Sequence, residues 1–257
     1  MVRLSHKTMV FQMSERILIL GGTYEARTLA NRLSDETNHM IITSLAGRTD
    51  NPTLPNSDVR IGGFGGVDGL TQYLKEHDIT LLVDAVHPFA ARISIHAFDA
   101  ANAAKVKLIR IERPPWKPDS GDHWHNVPSL EDAVAVLPEK ATVFVTIGRQ
   151  QLGAFLERQD ITVVARAIEG PKIEIPSNWT MILAQPPFTL EEECALFEEH
   201  GIDYLITKNA GGSETREKLL AARQLKKPVI MIDRLPKPQA RTFSDVAYFL
   251  KHLNTTD

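Results

Sequence analysis

The sequence has few cysteines, no long apolar run and no block of basic residues, and each absence excludes a class of protein. A single cysteine, Cys194, excludes an intrachain disulfide framework and any zinc or iron–sulfur site built from several cysteines. No run approaches the roughly 18 consecutive apolar residues of a membrane-spanning helix. With 29 basic against 32 acidic side chains, the net charge of −3 argues against a nucleic-acid-binding protein. We therefore expect a cytoplasmic protein without membrane or nucleic-acid partners.

Residues 1–15 mix basic and apolar side chains but lack the apolar stretch and small-residue cleavage site of a signal peptide. We expect this segment to be a disordered leader. Met9 or Met13 could be the physiological start.

Short β-branched runs alternate with longer amphipathic segments along the rest of the chain. The runs have no polar alternation, which is typical of strands buried on both faces of a parallel sheet. Their alternation with helices predicts βαβ units, and so an α/β protein with two Rossmann-like domains and parallel sheets. The predicted strands are residues 16–20, 40–45, 79–85, 106–111, 141–147, 161–167, 202–208 and 228–233, and the predicted helices are 24–34, 68–76, 90–104, 129–136, 190–200 and 213–224.

One shift in composition separates the two halves of the chain. Residues 113–122 (RPPWKPDSGD) contain three prolines and a glycine, which cannot continue a helix or a central strand. We place a domain boundary near residue 112, so that residues 16–112 form an N-terminal domain and residues 113–257 a C-terminal domain. We expect the two domains to face one another across an active-site cleft.

The first strand ends in Gly21-Gly22-Thr23, and a helix begins at once. Glycines allow a tight turn that brings backbone N–H groups close to an anion, and the helix N-terminus adds a favourable partial charge. The turn is shorter than G-x-G-x-x-G, because Ala26 and Arg27 stand where the last glycine would be. We interpret it as a phosphate or dinucleotide site. The alternative is a plain turn in which Thr23 caps the helix.

The second strand ends in residues 43–49 (TSLAGRT), which offer Ser44 and Arg48 and no carboxylate before Asp50. NAD enzymes have an acidic residue near here for the ribose 2′-hydroxyl, whereas an arginine and hydroxyls suit a 2′-phosphate. The segment favours NADPH over NADH, unless Arg48 is a solvated surface residue. Five glycines in residues 61–70 would let the backbone approach a ligand closely, or form only a flexible loop.

His87 and Pro88 follow the strand that ends at Asp84. Ligands of open α/β sheets bind beyond the carboxyl ends of the strands, where this loop must lie. His87 could hydrogen-bond substrate or donate a proton, or it could be an ordinary turn residue before proline. We expect Asp84 to brace the loop rather than to react.

The second half repeats this arrangement in TIGRQQL and in ITKNAGGSETREKLLAAR. Each segment has a strand, then a glycine turn with a basic residue, then a helix. Arg149 and Lys208 would point from the strand ends into the cleft. Ser213 could cap the last helix, but capping requires neither Lys208 nor Asn209, which favours a binding role for those two residues.

Two other groups are not expected to form sites. His123 and His125 flank Trp124 without a third ligand, so we expect no metal site. Cys194 lies in a predicted helix among glutamates, which would raise the pKa of its thiol.

Several segments are unusual in combination: GGTYEAR, SLAGRT, GGFGG, VDAVHPFA, RPPW, TIGRQ, KNAGGSETREKLLAAR and PVIMIDR. From about Arg16 to about Leu250, the chain resembles the precorrin-6A reductase family of cobalamin biosynthesis. The resemblance implies NADPH-dependent reduction of a double bond in the precorrin-6A macrocycle, giving precorrin-6B. It also implies two Rossmann-like domains with the active site between them. The family commonly has threonine where Val86 stands, which leaves His87 and Pro88 in place.

The resemblance implies that the N-terminal domain binds NADPH. Within it, Gly21, Gly22 and Thr23 would bind the cofactor phosphates, while Ser44 and Arg48 would hold the 2′-phosphate. The full set of expected cofactor residues is Gly21, Gly22, Thr23, Ser44, Leu45, Ala46, Gly47, Arg48, Gly62 and Gly63.

For the substrate, the resemblance implies a large ring that carries many carboxylates. Basic side chains would bind these groups by charge-assisted hydrogen bonds. His87 and Lys208 would act as catalytic residues that orient substrate or carry the proton. Water is the alternative source of that proton. The expected substrate-binding residues are Pro88, Arg113, Arg149, Asn209 and Arg216, with Lys117 and Arg234 as further cations.

Two alternatives stay open. A cobalt-precorrin-6A reductase of the anaerobic route, using NADH, would act on the cobalt-containing ring. A non-catalytic NADP-sensing module would bind the cofactor alone, although basic residues at strand ends in both halves call for a second, larger anion. The reductase could also receive its macrocycle by hand-over from neighbouring pathway enzymes.

Overall fold

The computed structural model describes residues 14–47 and 52–253 of the chain. Almost all of the predicted leader lies outside these residues, and so does Arg48. Within the described part, the chain divides into two compact units. The first holds the chain up to His87, Arg92–Glu112 and the chain from Pro238 on, and the second holds Pro88–Ala91 and Arg113–Lys237.

Strands and helices alternate along the described chain. In order they are β1 (Arg16–Leu20), α1 (Tyr24–Glu36), β2 (Met40–Leu45), β3 (Asp58–Ile61), α2 (Val67–Glu76), β4 (Leu81–Asp84), α3 (Ala91–Ala104), β5 (Lys107–Ile111), β6 (Trp124–Val127), α4 (Leu130–Ala135), β7 (Thr142–Thr146), a 3₁₀ helix (Arg149–Phe155), β8 (Thr162–Ala167), β9 (Trp179–Leu183), α5 (Leu190–Glu199), β10 (Tyr204–Lys208), α6 (Glu217–Gln224), β11 (Val229–Ile232), β12 (Arg241–Phe243) and α7 (Val246–Leu253).

Each unit contains one six-stranded parallel sheet, which confirms the predicted α/β class. The strand order is β12-β5-β4-β1-β2-β3 in the first unit and β6-β11-β10-β7-β8-β9 in the second. The central strands are buried on both faces, as Ile17, Leu18 and Ile19 show with no exposed surface at all. Among the described helices, none is both long and apolar enough to cross a membrane.

The eight predicted strands are all present, and each lies in the interior of a sheet. Four strands were not predicted from the sequence: β3, β6, β9 and β12. These four are the edges of the two sheets. The helix α7 was not predicted either.

The chain after Lys237 returns to the first unit, whereas the sequence placed all residues after 112 in the second domain. β12 pairs with β5 in parallel, with Phe243 opposite Ile111. Phe243 and Phe249 are buried in the core of the first unit, with ring centroids 5.3 Å apart. The return covers the edge of β5, which would otherwise present unpaired backbone groups to solvent.

A buried ion pair lies where β4 and β5 end. Asp84 and Arg110 stand opposite each other in the strand register, and the Arg110 Nε donates to the Asp84 Oδ2 at 2.9 Å. Their side chains are 1% and 7% exposed. The Arg110 Nη1 also donates to the Pro238 carbonyl oxygen at 2.9 Å, where the chain re-enters the unit.

Replacing Arg110 with methionine should destabilise the protein by about 3–5 kcal/mol, because it leaves the buried Asp84 carboxylate unpaired. Urea unfolding followed by circular dichroism measures the change. The matched control is Arg32→Met, which breaks an exposed pair with Glu36 and should have little effect. Equal losses in the two variants would contradict a structural role for the buried pair.

Candidate functional site

The turn between β1 and α1 lies at the carboxyl edge of the first sheet. The Gly21 N–H donates to the Ser44 carbonyl oxygen at 2.9 Å, and a Cβ at Gly21 would lie 3.1 Å from the Thr43 Cγ2. Gly22 has φ +103°, which favours glycine, and a Cβ there would meet nothing within 4 Å. The turn therefore leaves open space at the N-terminus of α1, where backbone N–H groups and the helix dipole favour an anion.

Thr23 joins this turn to the neighbouring strand. Its hydroxyl oxygen accepts a hydrogen bond from the Ala26 N–H at 3.1 Å, so Thr23 is the N-cap of α1. The same hydroxyl donates to the Ala85 carbonyl oxygen at 2.7 Å. The hydroxyl proton is thus engaged within the protein, and an anion at the turn would be bound by backbone N–H groups.

Arg60 on β3 is the cation that lies beside Ser44, and sequence reasoning missed it. Its Nη1 donates to the Ser44 hydroxyl at 2.8 Å and to the Gly62 carbonyl at 3.0 Å, and its Nη2 donates to the Gly63 carbonyl at 3.1 Å. The guanidinium carbon lies 3.8 Å from the centroid of the Phe64 ring. Arg60 therefore holds the glycine-rich loop after β3 against the end of β2.

The predicted segment after Ser44 is described only in part. Leu45 is buried, and its carbonyl accepts a hydrogen bond from the Gly62 N–H at 2.9 Å. Ala46 and Gly47 are exposed. Arg48 lies outside the described residues, so its pairing with the 2′-phosphate stays a prediction.

The loop after β4 carries His87 and Pro88. His87 is exposed, and Pro88 is buried. The chain passes from the first unit to the second between these two residues, and Phe89 packs against the core of the second unit. Asp84, at the end of β4, is buried in its pair with Arg110 on β5.

Lys208 and Arg149 lie at the carboxyl edge of the second sheet. The Lys208 Nζ donates to the Ile147 carbonyl at 2.7 Å and lies 5.5 Å from the centroid of the Phe89 ring. Arg149 begins the 3₁₀ helix and forms an ion pair with Glu169 at 2.8 Å. The fold thereby fixes both cations at the edge where parallel sheets bind ligands.

Hydrogen bonds hold the linker after β5 against the loop after β10. The Asn209 side chain accepts from the Trp116 N–H at 2.7 Å and donates to the Trp116 carbonyl at 3.1 Å. The Trp116 indole donates to the Gly212 carbonyl at 2.7 Å, and the Arg113 Nε to the Ala210 carbonyl at 2.8 Å. The Asn209 amide, predicted to bind substrate, is therefore engaged in positioning the linker.

Arg234 completes the hydrogen bonds that hold residues 113–116 against residues 209–212, which we call the linker clamp. Its guanidinium donates to the carbonyl oxygens of Asn209, Arg113 and Ala210 at 2.8, 3.0 and 3.0 Å. Of the predicted substrate residues, Arg113 and Asn209 thus belong to the clamp, and so does the further cation Arg234. Each of the three side chains hydrogen-bonds to backbone groups of the clamp.

The last predicted helix starts later than the sequence suggested, and Ser213 is not its N-cap. The Ser213 carbonyl accepts from the Arg216 N–H at 3.2 Å, which closes a separate turn before α6 begins at Glu217. Arg216 is the cap residue and has no side-chain capping hydrogen bond. Arg216 and Lys117 are both exposed.

A buried charge cluster, also missed from the sequence, joins β8, α5 and α6. The Arg166 Nη2 donates to the Glu193 Oε1 at 2.6 Å, and Glu193 is fully buried. The Lys218 Nζ donates to the Thr215 carbonyl at 2.7 Å and lies 5.2 Å from the centroid of the Trp116 ring. Burial lowers the pKa of Lys218 to about 7, although the nearby Glu193 charge favours the ammonium form.

The other candidates have no reactive arrangement. Partial burial raises the pKa of the Cys194 thiol, and the charges of Glu198 and Glu191 raise it further. This agrees with the expectation of an unreactive thiol. Within residues 14–47 and 52–253, no three His, Cys, Asp or Glu side chains are grouped so as to hold a metal ion.

Known proteins resemble this chain over nearly its whole length. Residues 16–254 match the family described as precorrin-6x reductase CbiJ/CobK. A precorrin-6A reductase from Rhodococcus erythropolis is 49% identical over 234 residues, covering 90% of this chain and 94% of that protein. A cobalt-precorrin-6A reductase from Priestia megaterium is 31% identical over 255 residues, covering 91% and 97%. The solved structure of CobK precorrin-6A reductase has a TM-score of 0.88 and 38% identity, covering 94% of this chain and 96% of its own.

Substituting alanine at Gly211 should strain the linker clamp. Its φ is +69°, and a Cβ would lie 2.0 Å from the Pro114 carbonyl oxygen. Gly148→Ala is the matched control, because its φ is +89° but a Cβ there would meet nothing within 4 Å. We expect Gly211→Ala to lose about 1–3 kcal/mol more stability than Gly148→Ala in urea unfolding. Equal losses of stability in the two variants would contradict this prediction, because the clash with the Pro114 carbonyl would then cost no free energy of unfolding.

Lys218 should make stability depend on pH. Its folded-state pKa of about 7 lies below the 10.5 of a solvated lysine, so between these values the unfolded chain binds more protons and stability rises with pH. Lys218→Met removes this dependence. The stability of the wild type relative to the variant should therefore increase by up to about 1.4 kcal/mol per pH unit above pH about 7.

The free energy of unfolding, measured from pH about 7 to about 10, tests this expectation for Lys218. Lys172→Met, at an exposed lysine of the same unit, is the control for the loss of a lysine side chain. A pH-independent difference between wild type and Lys218→Met would contradict the expectation.

Proposed function

Because the chain belongs to the precorrin-6x reductase family, CbiJ/CobK, we propose that it reduces precorrin-6A to precorrin-6B in cobalamin biosynthesis with NADPH as reductant. The proposed reaction is supported by the family match over residues 16–254 and by 49% identity to a precorrin-6A reductase. Identity to the cobalt-precorrin-6A reductase is 31%, which favours the metal-free ring as substrate.

The first unit offers groups that fit a dinucleotide. The Gly21-Gly22 turn would bind the pyrophosphate through backbone N–H groups at the start of α1. The described end of β2 has no acidic side chain of the kind that binds the ribose of NADH. Ser44 and Arg48 would instead hold the 2′-phosphate of NADPH. The backbone nearby that would adjoin the cofactor is that of Leu45, Ala46, Gly47, Gly62 and Gly63.

When bound, NADPH supplies the hydride, so the protein must orient the ring and deliver a proton. His87 is our candidate for the proton, since its side chain is exposed beyond β4 and imidazole is the commonest general acid and base in enzymes. Lys208 ends β10 at the carboxyl edge of the second sheet, and its ammonium donates to the Ile147 carbonyl. Lys208 would orient a substrate carboxylate from the end of β10.

The second unit would hold the substrate carboxylates. Arg149 and Arg216 lie at or near the carboxyl edge of its sheet, and each can form a charge-assisted pair of hydrogen bonds with a carboxylate. Pro88 would contribute an apolar contact. Arg113 and Asn209 would act indirectly, by fixing the loop that leads to Arg216.

Oxidation of NADPH, followed at its near-ultraviolet absorbance with enzymatically generated precorrin-6A, tests the proposal. We expect NADPH to be oxidised in the presence of the metal-free ring. We also expect kcat/KM to be at least about tenfold higher for NADPH than for NADH. This ratio reflects hydrogen bonds to a charged phosphate, each of which contributes about 1.5–3 kcal/mol.

Parallel assays with NADH and with the cobalt-containing ring are the controls. Consumption only with the cobalt ring would assign the protein to the anaerobic route. Tight NADPH binding without NADPH oxidation in the presence of either ring would contradict catalysis and support the sensing module.

A further inference from the structure

We propose that Arg60 selects NADPH over NADH by binding the 2′-phosphate of the adenosine ribose directly. This inference rests on the proposed function, because it requires a pyridine nucleotide on the first unit. It assigns a specificity-determining role to a residue on an edge strand, apart from the Ser44–Arg48 segment.

The strand register places Arg60 where the adenosine ribose of a dinucleotide is recognised. Ser44 near the end of β2 stands opposite Arg60 on β3. The Ser44 carbonyl accepts from the Gly21 N–H, while its hydroxyl accepts from Arg60. Ser44 thus connects the phosphate-binding turn to the guanidinium. In Rossmann folds, the group that distinguishes a ribose 2′-hydroxyl from a 2′-phosphate comes from this part of the sheet.

The guanidinium has donors to spare for a phosphate. It carries five N–H groups, and three donate to Ser44, Gly62 and Gly63. Its remaining two donors, the Nε–H and one on Nη2, have no hydrogen-bond partner in the part of the chain that the structure describes. These two nitrogens share one edge of the planar group, the geometry that binds two phosphate oxygens at once.

The described residues around Arg60 form no ion pair with its guanidinium, and two aromatic rings fix its orientation. Among the described residues, no carboxylate forms an ion pair with Arg60, unlike Arg149 with its partner Glu169. The Phe64 and Tyr73 rings lie 3.8 and 5.3 Å from the guanidinium carbon. A half-buried cation whose plane is already fixed loses little conformational entropy when a phosphate binds.

A purely structural role makes a different prediction. If Arg60 only holds the loop at Gly62 and Gly63, its removal should weaken binding of NADP⁺ and NAD⁺ equally. If Arg60 contacts the 2′-phosphate, only the affinity for NADP⁺ should fall strongly, because NAD⁺ lacks that group. The ratio of the two affinities therefore separates recognition from loop positioning.

Isothermal titration calorimetry with NADP⁺ and NAD⁺ on the full-length protein measures this ratio. For Arg60→Ala we expect NADP⁺ binding to weaken about 10- to 100-fold, while NAD⁺ binding changes less than about threefold. Arg60→Lys keeps the charge but not the fork, so it should show a smaller loss for NADP⁺. The matched control is Arg241→Ala on β12, the opposite edge of the same sheet, where the arginine also lies over a ring.

Equal losses for both nucleotides, or no loss for NADP⁺, would overturn the role of Arg60. A wild type that binds the two nucleotides equally would also overturn it, while leaving reduction of the macrocycle intact. A wild type that binds neither nucleotide would contradict the proposed function itself. Circular dichroism establishes that each variant is folded. Should Arg60→Ala fail to fold, Arg60→Lys decides, because its preference for NADP⁺ must still fall.

Discussion

The ion pair between Asp84 and Arg110 joins the centre of the first sheet to the segment that completes it. Both side chains are almost fully buried, so neither charge could stay there without the other. The same guanidinium donates to the Pro238 carbonyl, at the point where the chain re-enters the unit. The position of β12, and with it the cover over β5, therefore depends on a contact between neighbouring interior strands.

The sequence predicts interior strands well and edge strands poorly, for a physical reason. Interior strands such as β1 and β11 are covered on both faces and are almost entirely apolar in sequence. Edge strands have a face or a border in solvent. The residues Asp58–Ile61 (DVRI) and Arg241–Phe243 (RTF) are short and polar enough to look like loops. Pairing with a neighbouring strand decides their conformation, and no local pattern encodes that pairing.

The candidate site shows a similar division. Glycine turns at strand ends were found, because their backbone geometry requires a particular residue type. The partners of the cations were not, because they depend on tertiary contacts. Asn209 was predicted to bind a ligand but hydrogen-bonds to Trp116. Arg60 was not predicted as a site residue, because the strand that carries it was not predicted either. Arginine serves both purposes with the same chemistry, so only its partners distinguish a clamp from a binding group.

During synthesis the first unit is incomplete, because its last strand and helix are made after most of the second unit. β5 is synthesised before Arg113–Lys237, the main part of the second unit, but its partner β12 emerges only after Lys237. Until then β5 has an open edge, and Ile109 and Ile111 lack the cover of Phe243 and Phe249. Open strand edges pair readily with other chains. The nascent protein is therefore most prone to aggregate while the second unit is being made and folded.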